Sequence, residues 1–285
     1  FKTPELAAKA TCDAQRILGV DAAIMFADLL PILEPMGMKL DYIPGFGPNF
    51  ENPVRTHADI DNLRVQPAKE SMPYIHDVIK LIRAELPKDI PLIGFGGAPF
   101  TLASYAIEGK GSRNYVFVKQ MMYGDTGAWH GLMEKITDTV IDYMNYQIDS
   151  GVQAVQLFDS WVGTLSPSDY REYVMPHSQR MMKEISGRVP VIHFGTGNPA
   201  LAPLMAEAGG DVLALDWRTP LLETWNATGV KSVQGNMDPI ILCADKASVK
   251  RKAKEVLDEV DGRPGHIFNL GHGIIPETPV ENVKA

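Results

Sequence analysis

The sequence predicts an α/β fold of the (β/α)8 (TIM) barrel type. Seven short apolar runs are continuous rather than alternating, which is typical of strands buried on both faces of a parallel sheet. Helical patterns separate most of these runs, and repeated strand–helix units form parallel sheets. An open doubly wound sheet is the alternative, but no run ends in the G-x-G-x-x-G turn of its dinucleotide-binding version. We therefore favour a barrel whose first strand is missing from the visible chain.

The predicted elements follow in chain order, and each strand is a short run rich in Val, Ile, Leu and Phe. The strands are Ala22–Phe26, Pro91–Phe95, Ala154–Phe158, Val189–His193, Val212–Leu215, Lys231–Gln234 and His266–Leu270. Apolar residues at helical spacing, with glycines at the expected C-terminal stops, predict the helices. These helices are Trp129–Ser150, Asp169–Ser186, Pro199–Ala208, Leu221–Thr228 and Lys246–Val260.

The segment Asp41–Arg64, rich in Gly and Pro, reads as a long irregular insertion after the first visible strand, and such loops are often functional. Thr3-Pro4-Glu5 is typical of a helix N-terminus. We expect residues 1–285 to form one barrel domain truncated at both ends. We also expect a strand before Phe1 that carries at least one arginine pointing into the cleft.

Composition narrows the class of protein. The chain is 45% apolar and 22% charged, with a net charge of −8 and no basic stripe, which argues against a nucleic-acid partner. Cys12 and Cys243 are the only cysteines and lie far apart, so a reducing compartment is favoured over a disulfide framework. No apolar run approaches the ~20 residues of a membrane span.

Polar and glycine residues follow the predicted strands, where the active sites of barrel enzymes lie. These residues are Asp28, Gly94–Pro99, Asp159-Ser160, His193, Asp216, Asn236-Met237-Asp238 and Gly271-His272-Gly273. The glycines Gly96 and Gly97 either turn the chain or let backbone N–H groups approach a ligand. The residues point to a site at this end of the barrel.

Each candidate also has a structural interpretation. Asp28 precedes Leu29-Leu30-Pro31 and is equally consistent with a helix cap, and Ser160 is most often a cap. Tyr105 fits a core tyrosine with a satisfied hydroxyl, and His193 fits a hydrogen-bonded structural histidine. His272, between two glycines, requires either a function or a tight turn. The methionine pairs at 121–122 and 181–182 are expected to fill the core.

Three common site motifs are absent from the sequence: a zinc-ligand set, a nucleophile motif and a phosphate-binding loop. A zinc site in this architecture needs a close set such as His-x-Cys, but His193 is followed by Phe194 and Gly195. There is no G-x-S-x-G, and no Lys-Ser/Thr follows the glycines of Gly94–Gly97 to support phosphate binding. These residues by themselves predict a barrel enzyme without metal or nucleotide.

Four motifs, in matching order, identify a resemblance. Residues 94–109, GFGGAPFTLASYAIEG, closely resemble the second signature of the uroporphyrinogen decarboxylases. The stretches Asp21–Asp28, Gln156–Ser160 and Asn269–Gly273 also resemble that family. The family's arginine-rich first signature is absent from the visible chain. The resemblance covers essentially the whole chain and implies a (β/α)8 barrel that forms a homodimer with facing clefts.

The resemblance implies a function and a set of site residues. It implies decarboxylation of the four acetate arms of uroporphyrinogen III, without cofactor or metal, in haem and chlorophyll synthesis. Asp28 would accept hydrogen bonds from the pyrrole N–H groups. Tyr105, Ser160 and His272 would contact carboxylate arms, while Phe95, Phe158 and Leu29 would line apolar walls. We expect a cytoplasmic protein (or one of the plastid stroma, if a transit peptide preceded Phe1) that binds neither membrane nor nucleic acid.

Two alternatives remain at this stage. A corrinoid methyltransferase of the same superfamily would carry zinc on a His-x-Cys pair, and bound zinc would favour it. A non-catalytic barrel that binds a tetrapyrrole or a partner protein would bind its ligand without turnover.

Overall fold

The computed structural model describes residues 2–185 and 187–285 and contains nine strands in that part of the chain. The strands are β1 (Ala23–Ile24), β2 (Leu40–Ile43), β3 (Gly47–Phe50), β4 (Leu92–Gly97), β5 (Ala154–Asp159), β6 (Val191–Gly195), β7 (Val212–Leu215), β8 (Ser232–Met237) and β9 (His266–Leu270). Seven of them form one parallel sheet in the order β1-β4-β5-β6-β7-β8-β9. All seven predicted strands are confirmed.

The strand order decides between the two architectures. Doubly wound sheets reverse their strand order at a switch point, whereas the strands here follow the chain without reversal. The barrel-type α/β fold is therefore confirmed, and the open-sheet alternative is wrong. Strands β1 and β9 form the two edges of the sheet. The predicted strand before Phe1 concerns residues outside this chain and stays a prediction.

The helices cover the outer face of the sheet. They are α1 (Pro4–Leu18), α2 (His57–Asn62), α3 (Ala68–Ser71), α4 (Tyr74–Glu85), α5 (Pro99–Glu108), α6 (Val116–Gly124), α7 (Thr126–Ser150), α8 (Pro167–Asp169), α9 (Met175–Ile185), α10 (Ala202–Ala208), α11 (Leu221–Thr228), α12 (Lys246–Val260) and α13 (Val280–Val283). A π-helical segment, Tyr170–Val174, joins α8 to α9. The predicted end of that helix at Ser186 lies outside the described residues.

The segment Asp41–Arg64 is not irregular, so that prediction was wrong. Strands β2 and β3 pair antiparallel, with Asp41 opposite Asn49, and helix α2 follows. Gly45 and Gly47 adopt φ values of 79° and 87° at the turn, which side chains disfavour, and these glycines make the hairpin possible. The Gly- and Pro-rich composition is typical of this turn, but it gave no indication of the short strands β2 and β3 on either side.

Strand β4 contains the glycines of the 94–109 motif, and they serve helix packing. A Cβ on Gly94 would lie 2.4 Å from Oε1 of Gln147, and one on Gly96 would lie 2.8 Å from Sδ of Met144. Gln147 accepts from the N–H of Phe95 at 2.9 Å and donates to its carbonyl at 2.8 Å. Of the two interpretations of Gly96 and Gly97, the turn is therefore wrong, because both residues belong to strand β4, against which α7 packs closely.

The main core lies between the sheet and the helices, and both predicted methionine pairs are buried in it, which confirms their assignment. A smaller cluster lies on the inner face of the sheet and contains Ile192, Phe194, Val212 and Ala214, against which Phe158 packs. Within residues 2–185 and 187–285, no helix combines the length and the apolar character that crossing a membrane requires.

Candidate active site

Two adjoining cavities open at the carboxyl ends of the strands. The inner cavity, inside the curve of the sheet, has a volume of about 390 Å³. Its wall is mostly apolar, with the amides of Gln156 and Gln234 joined by a 3.3 Å hydrogen bond. Its lining residues are Ile24, Gln156, Phe158, Ser160, Phe194, Ala214, Leu215, Gln234, Asn269, Leu270, His272, Gly273 and Ile274.

The outer cavity lies over the loops that follow β5, β6, β7 and β9, and its volume is also about 390 Å³. Ser160 and His272 border both cavities and therefore stand at the passage between them. The outer cavity is lined by Arg113, Tyr115, Ser160, Trp161, Gly163, Thr164, Thr196, Gly197, Trp217, Arg218 and His272. The structure thus brings two of the predicted substrate-binding residues to one place.

An arc of aromatic rings crosses the strand ends and connects these residues. The centroids of Phe95 and Phe158 are 5.7 Å apart, and those of Phe158 and Phe194 are 5.6 Å apart. His272 continues the arc, at 6.2 Å from Phe194 and 6.3 Å from Trp217. All four contacts are edge-to-face, which is a favoured geometry for aromatic pairs. The arc is an aromatic wall in which the His272 imidazole lies between Phe194 and Trp217.

Gly271 explains how His272 reaches this position. A Cβ on Gly271 would lie 2.3 Å from the backbone N of Trp217, so only glycine lets the end of β9 approach the loop after β7. The His272 side chain is exposed to the cavities. The two interpretations of this histidine are therefore compatible, because a tight approach presents it to both cavities.

Asp28 lies beyond the end of β1, partly buried. Its Oδ1 accepts a 2.9 Å hydrogen bond from the N–H of Leu30, the first residue of the 3-10 turn Leu30–Leu33. The side chain thus satisfies the first donor of that turn, as a cap does, although the residue directly before the turn is Leu29. The hydroxyl of Tyr42, on β2, also donates to this carboxylate; burial, the Asp28 charge and that hydrogen bond together raise the pKa of Tyr42. No described Lys, Arg or His forms an ion pair with Asp28. The carboxyl group is thus held by neutral donors, without an ion-pair partner among the described residues.

Tyr105 lies within electrostatic range of Asp28 and next to Trp161. The ring centroids of Tyr105 and Trp161 are 5.8 Å apart, and those of Tyr115 and Trp161 are 6.1 Å apart. Burial raises the pKa of Tyr105, the Trp161 side chain partly opposes this shift, and Asp28 adds to it. Tyr105 is partly buried and does not line either cavity, so its predicted contact with substrate stays a prediction.

The remaining wall residues are divided between cavity and core. Phe158 borders the inner cavity, whereas Phe95 reaches it only by its contact with Phe158. Leu29 packs against the main core.

His193 is completely buried, and its Nδ1 lies 3.3 Å from the carbonyls of Met205 and Gly209. Burial lowers the pKa of His193 to about 4, so it is a neutral structural histidine, as its alternative interpretation had it.

Asp216, at the end of β7, organises the outer cavity. Its carboxylate accepts hydrogen bonds from the Thr196 hydroxyl (2.7 Å), the Gly197 N–H (2.7 Å) and the Thr219 hydroxyl (3.0 Å). It also pairs with Nη1 of Arg218 at 2.8 Å. Burial favours the neutral acid, but these hydrogen bonds outweigh it and lower the pKa of Asp216. The carboxylate therefore ties the loops after β6 and β7 together.

The sequence did not single out several residues that border the site. Tyr42 lies in the segment predicted to be irregular. Trp161 directly follows the candidate Ser160, and Arg218 lies two residues after the candidate Asp216. Arg113 lies in the loop between α5 and α6, where nothing local marks it. In the part of the chain that the structure describes, no three His, Cys, Asp or Glu side chains converge so as to hold a metal ion.

Comparisons with known proteins give one family. The model of the family described as "Uroporphyrinogen decarboxylase (URO-D)" matches residues 1–285. A uroporphyrinogen decarboxylase of Sorangium cellulosum is 52% identical, over 100% of this chain and 82% of its own length. The uroporphyrinogen decarboxylase of Trichlorobacter lovleyi is 50% identical over 99% of this chain and 83% of its own length. The one of Carboxydothermus hydrogenoformans is 52% identical over 99% of this chain and 81% of its own length.

Solved structures support the fold alone. A methyltransferase from Methanosarcina mazei superposes with a TM-score of 0.84 over 99% of this chain and 83% of its own, at 21% identity. A B12-independent methionine synthase from Shewanella superposes with a TM-score of 0.64 over 99% of this chain and 84% of its own, at 12% identity. Identities this low carry over the architecture and not the activity.

Proposed function

The chain belongs to the uroporphyrinogen decarboxylase family, and we propose that it decarboxylates the four acetate arms of uroporphyrinogen III to give coproporphyrinogen III. It is a carboxy-lyase of porphyrin biosynthesis. One observation supports the proposed chemistry in this cleft. Asp28 lies at a strand end, partly buried, held by the Leu30 N–H and the Tyr42 hydroxyl, with no ion-pair partner among the described residues.

The reaction requires an electron sink, because loss of CO₂ from an acetate arm leaves its electron pair behind. Many decarboxylases take this sink from a cofactor. In a pyrrole, protonation of the ring α-carbon gives an iminium cation that accepts the electrons of the breaking C–C bond. A second proton then adds to the methylene carbon, while the α-proton is lost. The balance for each arm is one carboxylate and one proton converted to CO₂ and a methyl group.

Asp28 would stabilise this cation. Its charge would face the pyrrole N–H groups, and the attraction would be stronger for the cationic ring than for the neutral ground state. Interactions that are stronger in the transition state than in the ground state accelerate a reaction. Because the four N–H groups of the macrocycle converge, one aspartate can serve each ring in turn as the substrate rebinds. No organic cofactor or metal enters this proposal.

The other predicted residues have binding roles in this proposal. Ser160 and His272, at the passage between the two cavities, would contact carboxylate arms, as would Tyr105 beside Trp161. Phe158 would contact the face of the macrocycle, with Phe95 and Leu29 supporting that wall from behind. The family resemblance further supports a cytoplasmic homodimer with facing clefts. Sedimentation of the purified protein tests whether it is a dimer.

The direct test is anaerobic incubation of the purified protein with uroporphyrinogen III, followed by oxidation and chromatography of the porphyrins. We expect porphyrins with seven, six, five and finally four carboxyl groups to accumulate in that order, with release of CO₂. Exhaustive chelation should leave the rate unchanged. Tight binding without any loss of carboxyl groups would indicate the non-catalytic barrel. Activity that vanishes on chelation and returns with zinc would overturn the mechanism.

A further inference from the structure

The outer cavity carries more positive charge than the chain as a whole. The chain has a net charge of −8, yet two arginines, Arg113 and Arg218, are among the described residues that line this cavity, and no acidic residue is. A third cation lies at its edge, since Nζ of Lys119 donates a 3.0 Å hydrogen bond to the carbonyl of Thr164. A cavity lined by one sign of charge attracts ligands of the opposite sign.

Arg218 is held in place but not saturated. Its guanidinium lies 3.8 Å from the ring of Trp217, and its Nη1 donates to Asp216 at 2.8 Å. Within the described part of the chain, Nε and Nη2 have no acceptor. Asp216 also receives the hydroxyls of Thr196 and Thr219, so its charge is shared among several donors. A guanidinium fixed in this way presents a free edge that suits a carboxylate.

Arg113 is exposed and makes no hydrogen bond or ion pair with any other described residue. A single exposed arginine is ordinary surface. Arg113, however, borders the same cavity as Arg218, together with the side chains of Tyr115 and Trp161. Two guanidinium groups that border one cavity form a better carboxylate site than either alone.

The cavity is formed by contacts between loops and does not depend on a ligand. A Cβ on Gly163 would lie 2.3 Å from the carbonyl of Thr196, so only glycine allows the loops after β5 and β6 to meet. Gly197, with a φ of 93°, completes this contact on the other loop. Because Ser160 and His272 also border the inner cavity, a molecule that fills the inner cavity can extend an arm into the outer one.

We infer that the outer cavity binds carboxylate arms of the substrate other than the one reacting, and that Arg218 and Arg113 are the residues that hold them. This inference rests on the proposed function. Arg218 follows β7 in the chain, and folding brings Arg113 to the same cavity. The arginines would position the macrocycle and select substrates with many carboxylates.

The test compares Arg113→Gln, Arg218→Gln and the double variant with the parent. Hydrogen bonds to charged groups are strong enough that each substitution should raise KM for uroporphyrinogen about tenfold, while kcat changes less than about threefold. Equilibrium binding of uroporphyrin, the oxidised and unreactive eight-carboxylate form, should weaken equally and depend less on salt. Arg113→Gln keeps the test valid if Arg218→Gln disturbs Asp216, because Arg113 contacts no described polar partner.

Arg263→Gln is the matched control, because Arg263 also lies over a tryptophan, 3.9 Å from the ring of Trp225, but does not line the cavity. This variant should bind and turn over the substrate as the parent does.

Coproporphyrin, which retains only propionates, identifies which arms the arginines hold. If the arginine variants bind both porphyrins equally more weakly than the parent, the arms are propionates. If only the affinity for uroporphyrin weakens, the arms are acetates. Unchanged KM and affinity in folded arginine variants would overturn the inference while leaving the function intact. A parent that binds but does not decarboxylate would overturn the function alone, and a parent that binds neither porphyrin would overturn both.

Discussion

The hydroxyl of Thr101 donates a 2.8 Å hydrogen bond to Oδ1 of Asp159, with both side chains completely buried. The hydroxyl oxygen of Thr101 also accepts a 3.2 Å hydrogen bond from the N–H of Trp161. One threonine on α5 therefore fixes the residues on both sides of Ser160. Oδ2 of Asp159 has no partner within residues 2–185 and 187–285, and burial raises the pKa of this carboxyl to about 7.

We predict that Asp159→Asn changes how stability depends on pH. The pKa of Asp159 is about 7 in the fold, against 3.8 as its ordinary value, so the folded protein holds the proton more tightly. This carboxyl therefore lowers stability as pH rises from about 4 to about 7, and asparagine removes that loss. The free energy of unfolding of the variant minus that of the parent should rise by on the order of 2–4 kcal/mol over this range, then level off. Urea unfolding at several pH values measures it.

Asp258→Asn is the control for this experiment. Asp258 lies on α12 with its side chain 61% exposed, and it pairs only with Lys254. Exposed pairs of this kind contribute little to stability. The control should therefore differ little from the parent at any pH. A pH-independent difference for Asp159→Asn would mean that Asp159 is ionised in the fold throughout.

We predict that Gly94→Ala destabilises the protein by more than about 2 kcal/mol, because the new Cβ would displace the Gln147 amide from Phe95 and leave buried polar groups unpaired. Gly131→Ala is the control. Gly131 lies on α7, and a Cβ there would meet no atom within 4 Å. Alanine favours a helix interior over glycine by roughly 0.8–1 kcal/mol, so the control should be stabilised. Urea unfolding of both variants measures their free energies of unfolding, which should fall for Gly94→Ala and rise for Gly131→Ala. An unchanged stability of Gly94→Ala would contradict the close packing of β4 on α7.

The bounds of two strands are the same in sequence and structure. Val212–Leu215 was predictable because its four apolar residues are all buried. His266–Leu270 was predictable because it lies between Gly265 and Gly271, although Ile267 and Phe268 are exposed in the structure. The pattern does not fix where a strand ends. Strand β4 extends to Gly97, which pairs with Phe158 of β5. Gly94 and Gly96 in this strand lie against Gln147 and Met144 of α7, about fifty positions away in the chain, and no local pattern reveals these contacts.

The site was predictable only where polar residues directly follow a strand. Ser160 and His272 could be found in this way, and the structure brings them to one passage. Tyr42 and Arg113 could not be found, because each lies in a connecting segment and reaches the site through tertiary packing. The first lies on an unpredicted hairpin, and the second on the loop before α6. Long-range placement of this kind is not encoded in spacing.

We predict that Tyr42→Phe lowers kcat about tenfold or more, because a hydrogen bond to a charged carboxylate contributes on the order of 1.5–3 kcal/mol. The melting temperature should change little, since Tyr42 is 41% exposed. Tyr123→Phe is a matched control, because the Tyr123 hydroxyl also donates to an aspartate, Asp169, at 3.0 Å and lies outside both cavities. Steady-state decarboxylation rates should be lower than the parent's for Tyr42→Phe and equal to it for Tyr123→Phe. Equal rates for both variants would mean that Tyr42 does not orient Asp28 for the reaction.

We predict that Asp28→Asn lowers kcat by roughly 10²–10³, the usual cost of removing one preorganised electrostatic group. The substitution keeps the shape and an acceptor for the Leu30 N–H, and asparagine caps a helix about as well as aspartate. The melting temperature should therefore stay close to that of the parent. What is lost is the charge facing the developing iminium cation.

Asp21→Asn controls for this substitution, because Asp21 is an exposed aspartate at the start of the same segment and lines neither cavity. Both variants are compared with the parent in melting temperature and in the rate of carboxyl loss from uroporphyrinogen. The proposed mechanism requires that only Asp28→Asn loses turnover, and that it does so while uroporphyrin still binds. If Asp28→Asn turns over nearly as fast as the parent, Asp28 is only the cap of the turn at Leu30. The cation must then be stabilised by another group, and the mechanism has to be abandoned.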